Sequence, residues 1–568
     1  MNKRWWKEAV FYQIYPRSFN DSNGDGIGDL PGIRERIDYL DYLGIDAVWL
    51  CPVYDSPNDD NGYDVRNYRK IMSEYGEMED WEGLTKDLHE RDIKLIMDFV
   101  PNHTSDEHRW FRKSRKSKDN EYRDYYIWRE GKAGEPPNNW KSVFGGSAWE
   151  HDKETEEYYL HLFSQKQPDL NWDNPEVREE LYETMRWWLE KGIDGFRLDV
   201  VNFISKNSDM PDDDPQKAPG SSGSSYYIDG PDVHRYFQEM NRKVFSSSEA
   251  VAIGETPMVS KEDGAKYVDP SRDELDLIFQ FDHVTFDQSD GGFWDLPREW
   301  KLTELKEIMT EWREAVADVD GWNATYLGNH DQPRIVSRFG NDDEYRRESA
   351  QTLATLQLTI SGTPFIYQGE EIGMTNYPFS SLEELRDVQS INQFNEMKSR
   401  GEVEDFNEVR DYVRFWSRDN ARTPMQWDAG EKAGFTEGEP WINVNPNKDQ
   451  INVKKEKTKR SSVLNYYKKL ISLRKDHEAL IYGDYRLVLD DDEDIFAFLR
   501  EWSENSTLTV LNFSETGTEV GLAEGVNCEK GELLISNYPE AESGELNSLS
   551  LRPYEARVYK ISLERLKG

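Results

Sequence analysis

Eight short apolar runs, each ending in polar or charged residues, alternate with segments of helical periodicity along most of the chain. The candidate strands lie within residues 8–19, 47–57, 94–103, 194–203, 250–257, 275–283, 323–331 and 363–371. The amphipathic segments between them lie at residues 30–43, 81–91, 175–191, 232–244, 302–316 and 343–358. Because parallel strands are joined by crossover helices, this alternation predicts an α/β fold, a (β/α)8 TIM barrel.

Two long interruptions and a change of texture divide this pattern. The helix expected after the third strand is delayed by the aromatic and charged stretch 104–174, and a βα loop of that length lies over the mouth of a barrel. Residues 376–450 similarly delay the last barrel helix, which we place at 463–475. From Tyr485 onward, short β-rich runs separated by turn residues replace the alternation. The predicted units are a barrel of residues 1–103 and 175–484, an inserted domain of residues 104–174 after strand three, and a C-terminal antiparallel β-domain, a β-sandwich, of residues 485–568.

The charge balance excludes several classes of partner. The 568-residue chain has 111 Asp and Glu against 70 Lys and Arg, so its formal net charge is −41. Such a field repels nucleic-acid phosphates and anionic lipid headgroups, so neither nucleic acid nor a membrane is an expected partner. The acid surplus is spread over the whole chain, which favours a halophilic surface that concentrated salt screens. The alternative is an ordinary acidic cytoplasmic protein.

The cysteines and the apolar runs indicate the compartment. Cys51 and Cys528 are far apart and match no metal-ligand or redox spacing. The stretch MNKRWWKEAVFYQIYP has no signal-peptide core, and no run of about 18 apolar residues follows it. We therefore expect a cytoplasmic protein without a disulfide framework, monomeric or weakly homo-oligomeric.

Ionisable residues stand at the ends of the predicted strands, where barrels carry their catalytic groups. An isolated aspartate there is more often a helix cap or a salt-bridge partner. Seven such groups together are different, because burying unpaired charges costs several kcal/mol each and clusters of this kind persist mainly at functional sites. The seven are Asp98 and His103 after strand three, Arg197 and Asp199 after strand four, Glu255 after strand five, and His330 and Asp331 after strand seven.

Two of these acids on neighbouring strands suit the cleavage of a glycosidic bond with retention. A retaining glycosidase needs two carboxyl groups about 5–5.5 Å apart, one as nucleophile and one as acid/base. Arg197 lies two residues before Asp199 on the same face of the strand, so we expect it to hold Asp199 ionised and nucleophilic. Glu255 follows the apolar run AVAIG, a setting that favours the protonated form needed by the leaving oxygen. Asp331 and the two histidines are left to bind sugar hydroxyls.

Six motifs, in order along the chain, carry a resemblance to a known family. They are DFVPNH (98–103), QPDLNW (167–172), GFRLDVVN (195–202), GET (254–256), NHDQPR (329–334) and SRDNARTPMQW (417–427). Essentially the whole chain resembles the α-amylase superfamily, glycoside hydrolase family 13, and within it the branch of oligo-1,6-glucosidases and α-glucosidases.

The resemblance implies a role for each residue of the mouth. The implied roles are nucleophile for Asp199, general acid/base for Glu255, transition-state stabiliser for Asp331, and contacts to the glucose at the cleavage point for His103, Arg197 and His330. The resemblance also implies that Asp60 and Tyr63, after strand two, close the pocket around the non-reducing end, with Arg418 bridging to Asp60. A blocked pocket means exo action, in which one glucose is released at a time.

Two residues in or near the inserted domain complete the predicted substrate-binding set. Phe163 belongs to a group of aromatic residues with Trp110 and Phe144, which could form a sugar-stacking platform. Most of these aromatic residues are more readily explained as a small core of the inserted domain. Gln167 opens the QPDLNW motif and joins the set through the resemblance.

Val200, the residue after the predicted nucleophile, bears on which linkage is cleaved. In the branch that the chain resembles, α-1,6-active members have Val here, whereas α-1,4-specific maltases have Ala or Thr. The resemblance therefore implies an oligo-1,6-glucosidase, and a methyl-sized difference in the adjoining subsite is worth about 1–3 kcal/mol. The alternatives are an α-1,4-glucosidase, or a transglucosylating or isomerising relative such as a trehalose synthase or a sucrose isomerase.

Two kinds of relative are disfavoured by the sequence. Sucrose isomerases of this branch carry an arginine-rich RLDRD segment after strand six, whereas this chain has FDHVTFDQSDGGFWDLP at residues 281–297. Some relatives are non-catalytic subunits of amino-acid transporters that have a membrane anchor and lack the catalytic acids, whereas this sequence has no such anchor run and keeps all three acids. We expect an exo-acting, retaining α-glucosidase that hydrolyses α-1,6 bonds of isomaltose-type oligosaccharides.

An acidic loop after strand one has the pattern of a cation site. Oxygen ligands alternate with glycines in the run Asp21-Ser-Asn23-Gly-Asp25-Gly-Ile27-Gly-Asp29. Position twelve is Gly32 rather than a bidentate Glu, so the loop is not an EF-hand, and a solvated acidic turn is the alternative. The resemblance implies a structural metal, Ca2+ or Mg2+, held by Asp21, Asn23, Asp25, Asp29 and the carbonyl of Ile27. No organic cofactor is expected.

Overall fold

In a computed structural model of the chain, the predicted strands form one curved parallel sheet. The structure describes residues 3–214, 216–218, 222–289, 296–503, 505–522, 526, 528–541 and 544–562. The barrel strands are β1 Phe11–Ile14, β2 Ala47–Leu50, β3 Lys94–Phe99, β4 Gly195–Leu198, β5 Val251–Glu255, β6 Leu277–Phe279, β7 Ala324–Thr325 and β8 Thr363–Tyr367. Neighbouring strands pair in parallel in the order β6-β5-β4-β3-β2-β1-β8-β7, which confirms the predicted barrel.

The barrel closes between β6 and β7 through side chains. Tyr326, which follows β7, donates its hydroxyl hydrogen to the carbonyl of Gln280, which follows β6, at 2.6 Å. The ring of His283 contacts the Tyr326 carbonyl at 2.7 Å. Aromatic side chains fill the interior, with the ring centroids of Phe279 and Phe365 4.7 Å apart. A filled interior leaves the mouth of the barrel as the place for a ligand.

Helices cover the outside of the sheet, as the periodicity predicts. Helix Pro175–Glu190 starts at Asn174, whose side chain accepts a hydrogen bond from the Glu176 N–H, and has proline at its first position. The predicted segment 30–43 is divided in two, because Arg36 leaves the helical region with φ −106° and ψ 5°. The outer helices are Leu30–Glu35, Ile37–Leu43, Met78–His89, Pro175–Glu190, Val233–Met240, Lys261–Val268, Leu302–Ala317, Arg346–Thr359 and Val463–Asp476.

Residues 104–174 fold into a small unit over the mouth. It contains the helix Arg109–Ser114 and an antiparallel sheet of Trp128–Arg129, Trp149–Asp152 and Glu157–Leu160. The rings of Phe111 and Trp128 stack inside this unit with centroids 5.7 Å apart. Phe163 instead stacks on Phe203, which follows β4, at 6.2 Å. One part of the aromatic set therefore forms a core, and another part faces the mouth.

Residues 376–450 form a second unit beside the mouth. Its helices are Val388–Arg400, Arg410–Trp416 and Asp419–Arg422. The side chains of Phe379, Leu385 and Phe394 form its buried core. Asp387 caps the helix Val388–Arg400 by accepting hydrogen bonds from the first N–H groups. This cap fixes Asp387 where it can reach the residues of the mouth.

The C-terminal residues form the predicted antiparallel β unit. One sheet pairs Asp484–Val488, Ile495–Glu501, Ser506–Asn512, Ala556–Ile561, Lys530–Ser536 and Gly544–Glu545 in that order, and another pairs Thr518–Val520 with Leu549–Leu551. The last two strands have too few residues to show an alternation in the sequence. Arg500 ties this unit to the barrel by donating to the carbonyl of Thr359 at 3.0 Å. The boundaries between the three predicted domains stay predictions.

Two observations concern the cysteines and the length of the helices. Cys51 is buried, Cys528 is half-buried, and neither is in a disulfide. Within the described residues, no helix has both the length and the apolar character needed to cross a bilayer.

Candidate active site

The carboxyl ends of four strands bring the seven predicted ionisable groups to one mouth. β3 pairs with β4 so that Asp98 lies opposite Arg197. β5 ends at Glu255 beside β4, and His330 and Asp331 follow β7. All seven are buried except Asp331, whose side chain is 30% exposed.

The Arg197 guanidinium is shared by three carboxyl groups. Its Nη1 lies 2.8 Å from Asp199 Oδ1 and 2.9 Å from Asp98 Oδ1. Its Nη2 contacts Glu255 Oε1. A cation that contacts both Asp199 and Glu255 keeps these two carboxyl groups close together, as a retaining mechanism requires.

This sharing changes the expected ionisation of Asp199. Burial and the neighbouring Glu255 raise the pKa of Asp199, and the contact with Arg197 offsets them only in part. Arg197 lowers this pKa, as the spacing predicts, but one cation divided among three acids does not outweigh burial and Glu255. Burial also raises the pKa of Asp98 to about 6, again against the effect of Arg197. Acids this close titrate as a coupled set.

Val200 occupies a strained position between the two carboxyl groups. Its φ of 35° and ψ of 43° lie in the left-handed region, which β-branched residues rarely adopt. In this conformation the Val200 N–H donates to Glu255 Oε2 at 3.1 Å, and the side chain lines the pocket. Strain of this kind clusters at functional sites. The residue after Asp199 therefore positions Glu255, a function that sequence spacing does not reveal.

Two stacked rings form the inner wall of the mouth. The Tyr63 and His330 rings are nearly parallel, with centroids 5.3 Å apart. The Tyr63 hydroxyl lies 2.9 Å from Asp98 Oδ2 and 2.7 Å from His330 Nε2. Gln13, on β1, contacts His330 Nδ1 through its amide nitrogen at 2.8 Å. Burial lowers the pKa of His330 to about 3, so the imidazole is neutral at physiological pH.

Arg418 and Asp60 close one end of the mouth. Arg418 Nη2 lies 3.2 Å from Asp60 Oδ1 and 2.7 Å from Asp387 Oδ1. The amide nitrogen of Gln167 lies 3.2 Å from Asp60 Oδ2 and 3.2 Å from His103 Nε2. Burial lowers the pKa of His103 to about 4, so this ring is also neutral. The sequence analysis missed Asp387, and its only signal is its place before the helix Val388–Arg400.

Asp331 is held by two arginines. Its Oδ1 lies 2.6 Å from Arg422 Nη2 and 3.6 Å from Arg418 Nη1. Burial opposes the ionisation of Asp331, but both arginines, joined by His330 at the acidic pH where its ring is protonated, outweigh it and lower the pKa of Asp331. Asp331 is therefore a carboxylate at neutral pH. Arg422 lies in the SRDNARTPMQW motif, a signal that could have found it.

The mouth opens into a pocket of about 810 Å³ with two unlike ends. At its floor lie the charged and hydrogen-bonded groups just described. Its outer wall is apolar and consists of Val143, Phe144, Phe163, Val200, Phe203, Met258 and Phe281. Placed polar groups with a ring-lined wall suit a sugar, which has hydroxyls at its rim and apolar faces.

The segment after β6 is described only in part. Residues 290–295, which belong to the FDHVTFDQSDGGFWDLP run, lie outside the described residues. Phe281, the first residue of the run, lines the pocket. The contrast between this run and the isomerase segment stays a prediction.

In the acidic loop after β1, side-chain oxygens accept hydrogen bonds from the backbone N–H groups two residues further along. Asp21 Oδ1 accepts from the N–H of Asn23, Asn23 Oδ1 from that of Asp25, and Asp25 Oδ1 from that of Ile27, each at 2.9 Å. Asp29 caps the helix that follows. In the part of the chain that the structure describes, no group of three or more His, Cys, Asp or Glu side chains is arranged to hold a metal ion. The predicted set contains three such acids and adds the amide oxygen of Asn23 and the carbonyl of Ile27, which suit hard cations. A metal in this loop stays a prediction.

Comparisons with known proteins cover almost the whole chain. The family description "Alpha amylase, catalytic domain" matches residues 13–483, and "Maltogenic Amylase, C-terminal domain" matches residues 485–558. An oligo-1,6-glucosidase of Parageobacillus thermoglucosidasius is 56% identical over 565 residues, which are 99% of this chain and 100% of that protein. An oligo-1,6-glucosidase of Bacillus cereus is 54% identical over 562 residues, again 99% of this chain and 100% of that protein. The solved structure of isomaltulose synthase from Klebsiella sp. LX3 is similar with a TM-score of 0.95 and 47% identity, covering 99% of this chain and 100% of that one.

Proposed function

The chain belongs to the α-amylase family of glycoside hydrolases, and from this we propose that it is an exo-acting, retaining α-glucosidase that hydrolyses α-1,6 bonds at the non-reducing end of isomaltose-type oligosaccharides. One observation carries the proposal. Asp199 and Glu255 share the Arg197 guanidinium at the floor of a pocket whose end is closed by Asp60 and Arg418. Two relatives more than half identical to the chain are named oligo-1,6-glucosidase.

The first chemical step forms a covalent intermediate. A carboxylate oxygen of Asp199 bonds to the anomeric carbon while the bond from that carbon to the leaving oxygen breaks. The leaving oxygen takes the proton of Glu255 and departs as a hydroxyl of the shortened sugar. Asp331, which stays ionised, stabilises the positive charge that develops on the sugar ring.

The second step returns the enzyme to its starting state. Glu255, now a carboxylate, removes a proton from water, and the water oxygen attacks the anomeric carbon. The bond to Asp199 breaks and its electron pair returns to the carboxylate. Two inversions at one carbon give a net retention, so the first product is α-glucose.

The closed end of the pocket supports exo action. Asp60 accepts from Gln167 and is held by Arg418, so its carboxylate is fixed where the terminal glucose presents its hydroxyls. A chain that continued past this glucose would meet the ion pair. The remainder of the oligosaccharide extends instead along the apolar outer wall.

Val200 supports the preference for α-1,6 bonds, because it lies beside both carboxyl groups and lines the pocket. The test is kcat/KM for isomaltose and for maltose, measured separately with purified protein. We expect the larger value for isomaltose. A larger value for maltose would assign the chain to the α-1,4-glucosidases.

Transglucosylation is a second candidate, which the apolar outer wall favours. Phe144, Phe163 and Phe281 can hold an acceptor sugar and exclude water from the glucosyl intermediate. Product analysis at high isomaltose concentration separates the two candidates. Free glucose as the main product supports hydrolysis, and tri- and tetrasaccharides as main products support transfer. Sucrose converted to an isomer would instead indicate an isomerase.

A structural cation in the loop of residues 21–29 is part of the proposal. The fit rests on the turns described above, in which side-chain oxygens at alternate positions are fixed by the backbone, and on Gly24 and Gly26 with φ of 82° and 90°. The proposed ligands are the oxygens of Asp21, Asn23, Asp25 and Asp29 and the carbonyl of Ile27. The ion, Ca2+ or Mg2+, supplies positive charge that holds the acidic loop together. Thermal unfolding with chelator and with each added ion should show a lower Tm without the ion, and an equal Tm would refute the site.

Two further parts of the proposal concern conditions. The acid surplus supports a halophilic surface, because salt screens repulsion between exposed charges more than it weakens buried pairs such as that of Arg197 and Asp98. Activity and folding should hold or rise up to molar salt, and a steady loss would refute this interpretation. The unpaired thiols of Cys51 and Cys528 support a reducing, cytoplasmic location.

A further inference from the structure

Gln13 is a buried residue of β1 that no sequence motif assigned to the mouth. Its side chain is 1% exposed and its amide nitrogen lies 2.8 Å from His330 Nδ1 and 3.2 Å from Cys51 Sγ. Apolar residues are the usual filling of a barrel interior, so a glutamine aimed at a histidine of the mouth calls for an explanation. The hydrogen-bond directions around His330 supply one.

These directions can be derived from Asp98. The Asp98 carboxylate is surrounded by donors, namely Arg197 Nη1, Trp49 Nε1 at 3.2 Å and the Tyr63 hydroxyl at 2.9 Å. An ionised carboxylate can only accept, so the single hydrogen of the Tyr63 hydroxyl points to Asp98. The hydroxyl oxygen is then left to accept, and the group 2.7 Å away from it is His330 Nε2.

The tautomer of His330 follows from this order. Nε2 carries the hydrogen because it must donate to Tyr63, and a neutral imidazole has only one N–H. Nδ1 is therefore an acceptor, and the Gln13 amide N–H donates to it. The bonds run in one direction, from Gln13 through His330 and Tyr63 to Asp98.

We propose that Gln13 is a positioning residue that fixes the tautomer and ring orientation of His330, so that the Nε2–H faces Tyr63 and the glucose at the floor of the pocket. The inference rests on the proposed function for its kinetic part only. If Gln13 lost its donor, the ring could adopt the other tautomer, and the Tyr63 hydroxyl would then turn from Asp98 to His330 Nε2. Asp98 would then lose one of its three hydrogen-bond donors and keep only Arg197 and Trp49.

The kinetic test compares two glutamine-to-methionine substitutions. Gln13→Met keeps the size of the side chain and removes the donor. Gln351→Met is the matched control, because Gln351 is 1% exposed and donates to the carbonyls of Ser461 and Ser462 at 3.1 Å on the outside of the barrel. The substrate is p-nitrophenyl α-glucoside, whose leaving group removes any effect of linkage preference.

We expect Gln13→Met to lower kcat by about 10- to 100-fold with a much smaller change in KM, the range typical of partners that orient a functional histidine. Gln351→Met should keep kcat within about twofold of the wild type, although both variants lose two buried hydrogen bonds and should lower Tm alike. Gln13→Glu replaces the donor by a carboxylate that can only accept, so it favours the opposite tautomer and should not restore kcat. A kcat of Gln13→Met within about twofold of that of Gln351→Met would overturn the proposal.

A second measurement does not depend on activity. The 15N resonances of His330 in histidine-labelled protein, assigned by their loss in His330→Asn, report which ring nitrogen carries the hydrogen. We expect an unprotonated Nδ1 and a protonated Nε2 in the wild type. A protonated Nδ1 in the wild type would overturn the inference even if the proposed function is correct. If the wild type shows the expected tautomer of His330 but is inactive on α-glucosides, only the proposed function is refuted.

Discussion

The floor and the outer wall of the pocket are built from opposite kinds of side chain. At the floor, every ionisable group has a named partner, and Arg197 alone contacts three carboxyl groups. The outer wall consists of rings and apolar chains such as Phe203 and Met258, whose side chains carry no charged group. The floor can therefore change only by breaking charged contacts, whereas the wall can change by methyl-sized steps.

This difference sets the scale of the expected effects. Removing one partner of a buried charge pair costs about 3–5 kcal/mol, because the other charge is left unpaired. Changing an apolar contact in a subsite changes discrimination by about 1–3 kcal/mol. Substitutions at the floor should abolish the reaction, and substitutions at the wall should redistribute it among substrates.

The largest effect is expected from Asp199→Asn. The amide cannot form the glucosyl intermediate, so kcat should fall by about 10⁴-fold or more on every α-glucoside. Since Asp199 shares Arg197 with two other acids, the variant should fold as well as the wild type. Far-UV circular dichroism and Tm provide this control. An activity within about tenfold of the wild type would assign the nucleophile to another residue.

Glu255→Gln should have a smaller effect that depends on the leaving group. General acid catalysis is worth about 10²–10⁴-fold, and a nitrophenolate leaves without a proton. We therefore expect a loss in that range for isomaltose and a clearly smaller loss for the glycosylation step with p-nitrophenyl α-glucoside. Pre-steady-state release of nitrophenol measures this step. Equal losses on both substrates would argue against Glu255 as the acid.

Arg418→Leu tests the closed end of the floor. Asp60 and Asp387 would both lose a cation at 3.2 Å or less, and Asp331 would lose one of its two arginines. We expect kcat/KM to fall by about 10²- to 10³-fold, consistent with 3–5 kcal/mol for a broken buried pair. Arg418→Lys keeps a charge without the planar fork and should recover part of the loss. Release of products larger than glucose by either variant would show that the closed end of the pocket had opened.

Val200→Thr and Val200→Ala test whether the outer wall determines the linkage preference. Both keep the charges of the floor, so we expect total activity to stay within about tenfold of the wild type. The ratio of kcat/KM for isomaltose to that for maltose should fall by about 5- to 100-fold, which corresponds to 1–3 kcal/mol. A lower ratio without loss of activity sharpens the division between floor and wall. An unchanged ratio with a large loss of activity would contradict the division between floor and wall.

The smallest expected effect is on the pH dependence of a histidine variant. Burial and Glu255 raise the pKa of Asp199, so activity should fall as the pH drops through this raised value and protonates the nucleophile. His103 has a pKa lowered to about 4 and is neutral in this range. His103→Gln should therefore lower kcat without moving the acid limb of kcat/KM. A limb that shifts by a full pH unit would place its origin in the histidine.

Sequence reasoning identified the residues of the floor better than the contacts among them. The strand ends placed Asp98, Arg197 and Glu255 correctly, because parallel strands deliver their carboxyl ends to one edge. The spacing of Arg197 and Asp199 also placed both on one face, yet it did not reveal that burial and Glu255 make the net direction of the Asp199 pKa shift upward. That direction depends on how many acids share one cation, which is a property of the folded mouth.

The residues that sequence reasoning missed have a similar explanation. Gln13 contacts His330, and Asp387 contacts Arg418. Both act through another residue, so a search for groups that bind the sugar directly does not find them. The left-handed backbone of Val200 is imposed by its surroundings against its own preference. By contrast, the helix Pro175–Glu190 follows from local signals, and the predicted segment 175–191 matches it to within one residue.

The most direct test is a proton NMR time course with isomaltose and maltose supplied together to the wild-type protein. The anomeric signals report the configuration of the first glucose, which the floor determines, and the relative loss of the two substrates, which the wall determines. The account predicts that α-glucose appears first and that isomaltose disappears faster. Initial β-glucose would contradict the retaining pair of Asp199 and Glu255, and faster loss of maltose would contradict the role given to Val200.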